Sequence, residues 1–203
     1  MKLSIIIPVY NQEELVIKAL DSIPTRNDVE IIIIDDKSTD KTYQNLLRYM
    51  VNNENKNILL LQNEKNIGAG ATRNKGMKKA IGEYVMFLDS DDYLYPYLDR
   101  FMNELTGEDI VYYGLITNNG TKIMPKPTNI INLCGTVKAV RRKFIGESRF
   151  ADTNFAEDWH FNKSLLDKNP AKKFTDIYLL HYNSPRKNSL FDLAIRKNRK
   201  VKK

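Results

Sequence analysis

The sequence has little of several features that mark particular classes of protein. Its 203 residues include one cysteine, Cys134, which excludes an internal disulfide and is typical of a reducing compartment. No apolar run approaches the ~20 residues of a membrane-spanning helix. Strand-like sequence begins at Leu3, so we expect no signal peptide. With 42% hydrophobic and 28% charged residues, the chain is predicted to be a globular, cytoplasmic, single-domain protein.

The positive charge is unevenly distributed along the chain. The formal net charge is +7, and the last stretch, Arg196 to Lys203, supplies much of it. A tail of this kind is usually solvated. The alternative is contact with an anionic partner, such as the headgroups of the inner membrane face, a polyanionic acceptor or, less favoured, nucleic acid. We treat residues 191–203 as a basic C-terminal tail.

The first 92 residues alternate between strand and helix patterns. Apolar runs without polar alternation predict strands that are buried on both faces. The four predicted strands are Leu3–Val9, Glu30–Ile34, Ile58–Gln62 and Glu83–Leu88. Strands separated by helices predict an α/β fold with a parallel sheet, right-handed crossovers and helices on both faces. In such sheets ligands bind at the carboxyl ends of the strands.

Two helices between these strands have identifiable starts. Asn11 is a plausible N-cap for the first helix, whose apolar residues begin at Leu15. Ser38, Thr39 or Asp40 can cap the second. Helical spacing predicts that the second helix buries one apolar face, consisting of Tyr43, Leu46, Leu47 and Met50.

The second half of the chain is less regular. We predict a strand at Asp109–Ile116 with a hairpin return, a strand or helix at Thr136–Ile145, a helix at Phe155–Leu166 and a strand at Ile177–Tyr182. The composition changes near Asp92 without a linker. The sequence therefore predicts one domain over residues 1–190, with a ligand-binding half at 1–92 and a second half at 93–190.

Acidic residues follow the fourth predicted strand. Asp89, Ser90, Asp91 and Asp92 come directly after its apolar run. Clustered carboxylates repel one another, and a hard divalent cation such as Mg²⁺ or Mn²⁺ relieves that repulsion. A solvated turn is the plain alternative. The position at the edge of the ligand crevice favours a metal that bridges the phosphates of a nucleotide.

The other strand ends carry further candidates. The ring of Tyr10 can stack on a base or pack in the core. Asp35 and Asp36 can accept hydrogen bonds from a nucleobase and a ribose, or cap the next helix. The loop at residues 66–70 places small residues where backbone approaches a ligand, and Arg73 follows it. The spacing is neither a Walker nor a dinucleotide fingerprint.

Six segments, in this order and spacing, resemble the family 2 glycosyltransferases with the GT-A fold. They are SIIIPVYN, IIIIDDKSTDKT, NIGAGATRNKG, FLDSDDYL, GTVKAVRRKFI and FAEDWHF, and they extend over most of the chain. The resemblance implies a mainly parallel sheet flanked by helices. It also implies an inverting enzyme that uses Mn²⁺ or Mg²⁺ and transfers a sugar from a nucleotide-sugar, often a UDP-sugar.

The resemblance implies roles for the matching residues on the donor side. Asp89 and Asp91 match the family's Asp-x-Asp pair and would hold the metal on the pyrophosphate, with Asp92 as a second candidate. Asp36 would read the uracil edge with support from Asp35. The implied nucleotide-binding set, whose first three members line the nucleobase pocket, is Pro8, Val9, Tyr10, Asp35, Asp36, Arg73, Asp89, Ser90 and Asp91.

On the acceptor side the resemblance implies Asp158 as general base, taking the proton of the attacking hydroxyl. Glu157 would contact the acceptor. The alternative is an acid-rich first helical turn stabilised by the helix dipole. Trp159 can cover a sugar face or pack in the protein. His181 is the implied third metal ligand, with Arg186 or Lys187 in competition, and a buried, hydrogen-bonded His181 is its plain alternative.

The acceptor is the least defined part of the hypothesis. The acceptor is expected to be a glycan, a lipid-linked glycan or an anionic cell-surface polymer. The positive charge of the basic segment at residues 138–143 would suit an anionic acceptor. Two other functions are considered, a nucleotidyltransferase and a non-catalytic carbohydrate- or nucleic-acid-binding module. A nucleotidyltransferase ordinarily has a Gly-rich loop with Lys or Arg directly after the first strand. The segment PVYNQEE at that place contains no glycine, lysine or arginine. The second needs aromatic and basic residues on one surface.

Overall fold

The computed structural model describes residues 1–128, 136–151 and 157–184. Within these residues nine strands form one sheet. The strands are β1 (Leu3–Val9), β2 (Val29–Asp35), β3 (Ile58–Gln62), β4 (Tyr84–Phe87), β5 (Tyr93–Leu94), β6 (Ile110–Thr117), β7 (Lys122–Ile123), β8 (Lys138–Arg141) and β9 (Lys172–Tyr182). The helices are α1 (Leu15–Asp21), α2 (Thr42–Asn52), α3 (Ala69–Lys79), α4 (Leu98–Asn103), α5 (Arg142–Ile145) and α6 (Glu157–Leu166).

The sheet is mixed, with a parallel block at one side. Its order is β3-β2-β1-β4-β8-β6-β9-β5, and β7 pairs with β6. The first four strands in this order are parallel. Next, β8 lies antiparallel between β4 and β6, while β9 is parallel to β6. The carboxyl ends of β1, β2 and β4 therefore meet at one edge, as the sequence predicts for the ligand crevice.

Each face of the sheet has its own hydrophobic core. Alternate residues of a strand point to opposite faces, so Ile5 and Ile7 pack with α1, α2 and α4. Ile6 points the other way and belongs to the core that includes Phe161 of α6. Because both faces are covered, β1 and β2 are mostly apolar, as predicted, and the buried polar residues Ser4 and Glu30 hydrogen-bond each other.

The structure corrects several local predictions. Asn11 is not the N-cap of α1, because Glu14 holds that position without a side-chain hydrogen bond. The buried face of α2 consists of Thr42, Leu46 and Tyr49, whereas Leu47 is 45% exposed. The sequence analysis did not predict β5 and α4.

The basic segment at residues 138–143 does not form one surface. Lys138 is buried and donates from Nζ to Asn162 Oδ1 at 2.6 Å, while Arg142 and Lys143 are exposed on α5. None of the helices in the described part of the chain is long and apolar enough to cross a membrane. The predictions for Cys134, Arg186, Lys187 and residues 191–203 lie outside the described residues.

Candidate active site

The end of β1 is shaped by Asn11. This residue has a φ of 51°, in the left-handed region that asparagine tolerates. Its backbone N–H donates to Ser38 Oγ at 2.9 Å, and its side-chain oxygen accepts from Thr39 N at 2.8 Å. These bonds tie the β1 end to the loop after β2. Tyr10 lies at the turn with 44% of its surface exposed, while Pro8 and Val9 are buried in the strand.

Asp36 is committed to the loop that leads into α3. Its Oδ1 accepts from Asn63 Nδ2 at 2.8 Å and from the N–H of Ile67 at 2.9 Å. Its Oδ2 accepts from the N–H of Gly68 at 2.8 Å. Gly68 has a φ of 83°, a conformation that favours glycine. Since no acid lies in the first turn of α3, Asp36 supplies the negative charge that a helix N-terminus prefers.

Asp35 is equally enclosed. It is fully buried and accepts from Gln62 Nε2 at 2.8 Å and from the backbone N–H of Ser38 at 3.2 Å. The pair after β2 therefore has hydrogen-bond partners inside the protein. The predicted roles of these two acids at the nucleobase stay predictions.

The acids after β4 are in different surroundings. Asp89 and Asp91 are half-buried, whereas Ser90 and Asp92 are buried. Asp92 Oδ1 accepts from Asn183 N at 2.7 Å, and Asp92 Oδ2 has no hydrogen-bond partner among the described residues. Burial raises the pKa of Asp92 to about 8, the charge of Asp89 adds to the rise, and the Asn183 bond opposes it.

Arg73 joins the donor-side and acceptor-side acids. Its Nη2 lies 2.7 Å from Asp89 Oδ1, and its Nη1 lies 3.4 Å from Glu157 Oε1 and 3.7 Å from Asp158 Oδ1. Only 6% of the Arg73 side chain is exposed. Burial lowers the pKa of Arg73, but the charges of Asp89, Asp158 and Glu157 outweigh it, so the pKa is raised. We call these four residues the Arg73 cluster.

Aromatic packing against the Arg73 side chain holds it in place. The guanidinium carbon lies 5.3 Å from the ring centroid of Phe150, which stacks at 4.2 Å on Phe161 of α6. Asn74 holds the Phe150 backbone by two hydrogen bonds of 2.9 Å, one to its carbonyl and one from its N–H. A Cβ at Gly70 would approach Glu157 Cγ to 3.2 Å. A larger residue there would push α6 away from α3.

His181 and Trp159 lie beside this centre in different ways. His181 stacks on Tyr93 with ring centroids 4.1 Å apart, and its Nδ1 has no partner among the described residues. Burial and the nearby Lys18 ammonium lower the pKa of His181. Trp159 is 40% exposed, so its ring is not part of the core.

The described residues supply too few ligands to hold a divalent metal alone, so a bound ion would also need ligands from the substrate and from water. Among the residues that the structure describes, no three His, Cys, Asp or Glu side chains gather into a metal-holding group. Asp89 and Asp91 are therefore not joined by His181 in such a group. Mg²⁺ is commonly held by one or two carboxylates with substrate phosphates and water. Two half-buried aspartates after β4 match that arrangement.

Comparison with solved structures establishes the class of the protein. Staphylococcus aureus TarS 1-349 in complex with UDP-GlcNAc superposes with a TM-score of 0.77 at 27% identity, over 92% of this chain and 59% of that one. The protein has the GT-A fold of nucleotide-sugar transferases, which confirms the predicted fold class. The chain belongs to glycosyl transferase family 2, whose model matches residues 4–165.

Curated relatives agree with this membership. A poly(ribitol-phosphate) beta-glucosyltransferase of Bacillus spizizenii is 33% identical over 181 residues, which cover 86% of this chain and 25% of that protein. The poly(ribitol-phosphate) beta-N-acetylglucosaminyltransferase TarS of Staphylococcus aureus is 40% identical over 100 residues, 46% of this chain and 17% of that protein. The chain thus spans a quarter or less of these relatives. The predicted family is confirmed.

The sequence analysis missed three residues that build the site. Asn11, Asn74 and Phe150 are not among the predicted ligand-binding residues. Asn11 positions the end of β1, and Asn74 and Phe150 position Arg73. A signal for the first was its place between a strand and the helix that starts four residues later. The partnership of Asn74 with Phe150, 76 residues apart, had no local signal.

Proposed function

We propose that this chain is a glycosyltransferase domain that transfers a sugar from a UDP-sugar, with inversion, to a hydroxyl group of an anionic glycan polymer. The observation that carries the proposal is the Arg73 cluster. One buried guanidinium holds Asp89, from the end of β4, next to Glu157 and Asp158 at the start of α6. The proposed leaving-group side and the proposed base are thereby brought together.

The donor is proposed from the site and from the relatives. Pro8 and Val9 form a buried wall beside the exposed ring of Tyr10, an arrangement that suits a flat nucleobase. Asp35 and Asp36 hold the surrounding loops in place. A relative that shares the fold binds UDP-GlcNAc, and another is named a glucosyltransferase. A UDP-hexose or UDP-N-acetylhexosamine is therefore the proposed donor.

Asp89 and Asp91 would hold Mn²⁺ or Mg²⁺. When bound, the ion supplies positive charge that stabilises the leaving diphosphate. Arg73 orients Asp89, since its guanidinium contacts Asp89 Oδ1 at 2.7 Å. Asp92 is buried deeper, and its raised pKa favours the neutral form, which makes it the weaker candidate ligand.

Asp158 would accept the proton of the acceptor hydroxyl. A general base must be held in a fixed direction toward the hydroxyl, and the guanidinium of Arg73, 3.7 Å from Asp158 Oδ1, is placed to orient the carboxylate. Glu157, held at 3.4 Å from the same group, would position the acceptor. Attack from the side of α6, opposite the diphosphate, inverts the anomeric carbon.

Calorimetry with UDP tests the donor half of the proposal. Binding should require Mn²⁺ or Mg²⁺, and Asp91→Ala should weaken it sharply while circular dichroism stays unchanged. A donor-hydrolysis screen across nucleotide-sugars then identifies the sugar. Equal UDP affinity in the variant at saturating Mn²⁺ would remove the metal role from Asp91. Turnover of no nucleotide-sugar by the folded chain would contradict the proposed activity.

A further inference from the structure

A cationic cavity lies on the sheet face that carries α3 and α5. Its volume is about 240 Å³, and we call it the α3–α5 pocket. Four of its nine lining residues are cations, namely Lys78, Arg142, Lys143 and Arg149. The others are Met77, Ala80, Val85, Ile145 and Gly146. Positive groups around an apolar floor attract anions more strongly than the same groups in open water.

The lysines of the α3–α5 pocket are not neutralised within the described chain. Lys78 and Lys143 form no ion pair with any described residue. The acid nearest to Arg149 in an ion pair is Glu147, at 3.8 Å and fully exposed, where screening by water makes the pair weak.

Backbone carbonyls orient the two arginines of the pocket without cancelling their charge. Arg142 Nε donates to Gly82 O at 2.8 Å. Arg149 Nη1 donates to Gly146 O at 2.6 Å and to Ser148 O at 2.8 Å. Each guanidinium has five N–H donors, so donors remain for an anion in both cases. The two guanidiniums of the pocket are thus held in place by the backbone, while Lys78 and Lys143 are exposed at its rim.

The α3–α5 pocket is separate from the proposed donor site. Val85 lines it four residues before Asp89 on an extended strand, a separation of ~13 Å. Met77 lies one helical turn beyond Arg73 on the same face of α3. Arg149 is the neighbour of Phe150, on which Arg73 packs. The pocket is therefore one helical turn from Arg73 along α3, but it is too far from Asp89 to hold the donor's diphosphate.

We propose that the α3–α5 pocket binds a phosphodiester group of the acceptor, at least one repeat away from the hydroxyl that receives the sugar. This inference rests on the proposed transfer to an anionic polymer. Guanidinium groups match phosphate oxygens in pairs, and ammonium groups add charge. A water occupies ~30 Å³ of liquid, so the cavity has the room of about eight waters, enough for a phosphate with part of its polyol.

A charge-matched pair of double variants tests the site. K78Q/K143Q removes two pocket cations that make no ion pair in the described chain. K79Q/K172Q removes two exposed lysines outside the pocket, with the same change in net charge. The probe is a synthetic ribitol-phosphate oligomer, compared with uncharged ribitol. The Kd of each protein variant for the oligomer is measured by calorimetry at low and high salt. This measurement does not require the enzyme to turn over a donor.

We expect the pocket variant to weaken oligomer binding by about tenfold and the control by less than about twofold. Donor hydrolysis and UDP affinity should match the parent in both. Equal losses in the two variants, or none, would overturn the site. So would a pocket variant that loses binding to vesicles of phosphatidylglycerol but keeps its oligomer Kd, because the pocket would then serve a membrane. Failure of the parent to turn over any donor would contradict the proposed activity, while the calorimetric Kd still decides the pocket.

Discussion

Two groups of acids follow the strands on either side of β1, and their surroundings differ. Asp35 and Asp36 are buried and accept hydrogen bonds mainly from backbone and amide N–H groups. Asp89 keeps 30% of its side chain exposed and shares the guanidinium of Arg73 with the acids of α6. Acids with similar sequence context therefore divide into those enclosed by hydrogen bonds from neighbouring loops and those that stay partly exposed at the edge of the sheet. The predictions below test that division.

The largest expected effect is on catalysis. Asp158→Asn keeps the shape of the side chain but removes the proton acceptor, so transfer should fall by about 10²- to 10⁴-fold. UDP affinity should change little. Asp167→Asn, at the other end of the same helical segment and paired on the surface with Lys163, is the control and should retain its rate. A near-normal steady-state rate in Asp158→Asn would move the base to another group.

Removing the shared cation should affect stability most. Arg73→Met leaves three carboxylates without their buried partner, which should lower the free energy of unfolding by about 3–5 kcal/mol. Arg26→Met breaks two pairs that are more exposed than the Arg73 contacts, to Asp28 and Asp99, and should cost less than Arg73→Met. Urea titrations of both variants measure the difference. Similar losses of unfolding free energy in the two variants would show that the contacts of Arg73 contribute no more to stability than those of a more exposed arginine.

The enclosed carboxylate of Asp36 predicts a smaller loss. Asp36→Asn replaces one acceptor oxygen with an N–H donor that faces the donors of Asn63, Ile67 or Gly68. The free energy of unfolding should fall by about 1–3 kcal/mol. Asp176→Asn, in an exposed pair with Arg100, should change it by less than about 1 kcal/mol. If Asp36→Asn lost only UDP affinity, with stability unchanged, the residue would be a ligand contact instead.

The effect of Asp92 should be confined to the pH dependence of stability in the metal-free protein. Its folded pKa of about 8 lies above its ordinary value of 3.8. Between these values the unfolded chain has released the proton and the folded chain retains it, so stability falls as pH rises through this window. Below it both states are protonated, and above it both are ionised, so the effect stops changing.

Asp92→Asn should remove this fall and be more stable than the parent near neutral pH. Thermal melts in chelator at several pH values measure it. Parallel pH profiles for the variant and the parent would contradict the raised pKa.

Much of the fold was predictable because its determinants are local. Residues 3–9 and 30–34 are largely apolar runs that suit a strand covered on both faces, and the structure places β1 and β2 there. Residues 58–62 form β3 at the end of the sheet order, but this strand is only partly buried and exposes Leu59, so the prediction that both of its faces are buried was wrong. The second half was less predictable. Residues 136–145 contain both a strand and a short helix, and β5 is two residues long, too short for a pattern to develop. The predicted core-facing side of α2 was also partly wrong, since Leu47 is exposed.

By itself, the sequence determined the four parallel strands β1 to β4, the edge where Tyr10, Asp36 and Asp89 lie, and the family resemblance, because apolar patterning and motif order are properties of the chain. Only the tertiary structure decided what each acid does there. Asp36 finds its partners 27 to 32 residues away, and Arg73 reaches Glu157 across 84 residues. Hydrogen bonding and charge pairing depend on distances of a few ångströms in space, and such distances are set by how α3, α6 and the sheet pack together.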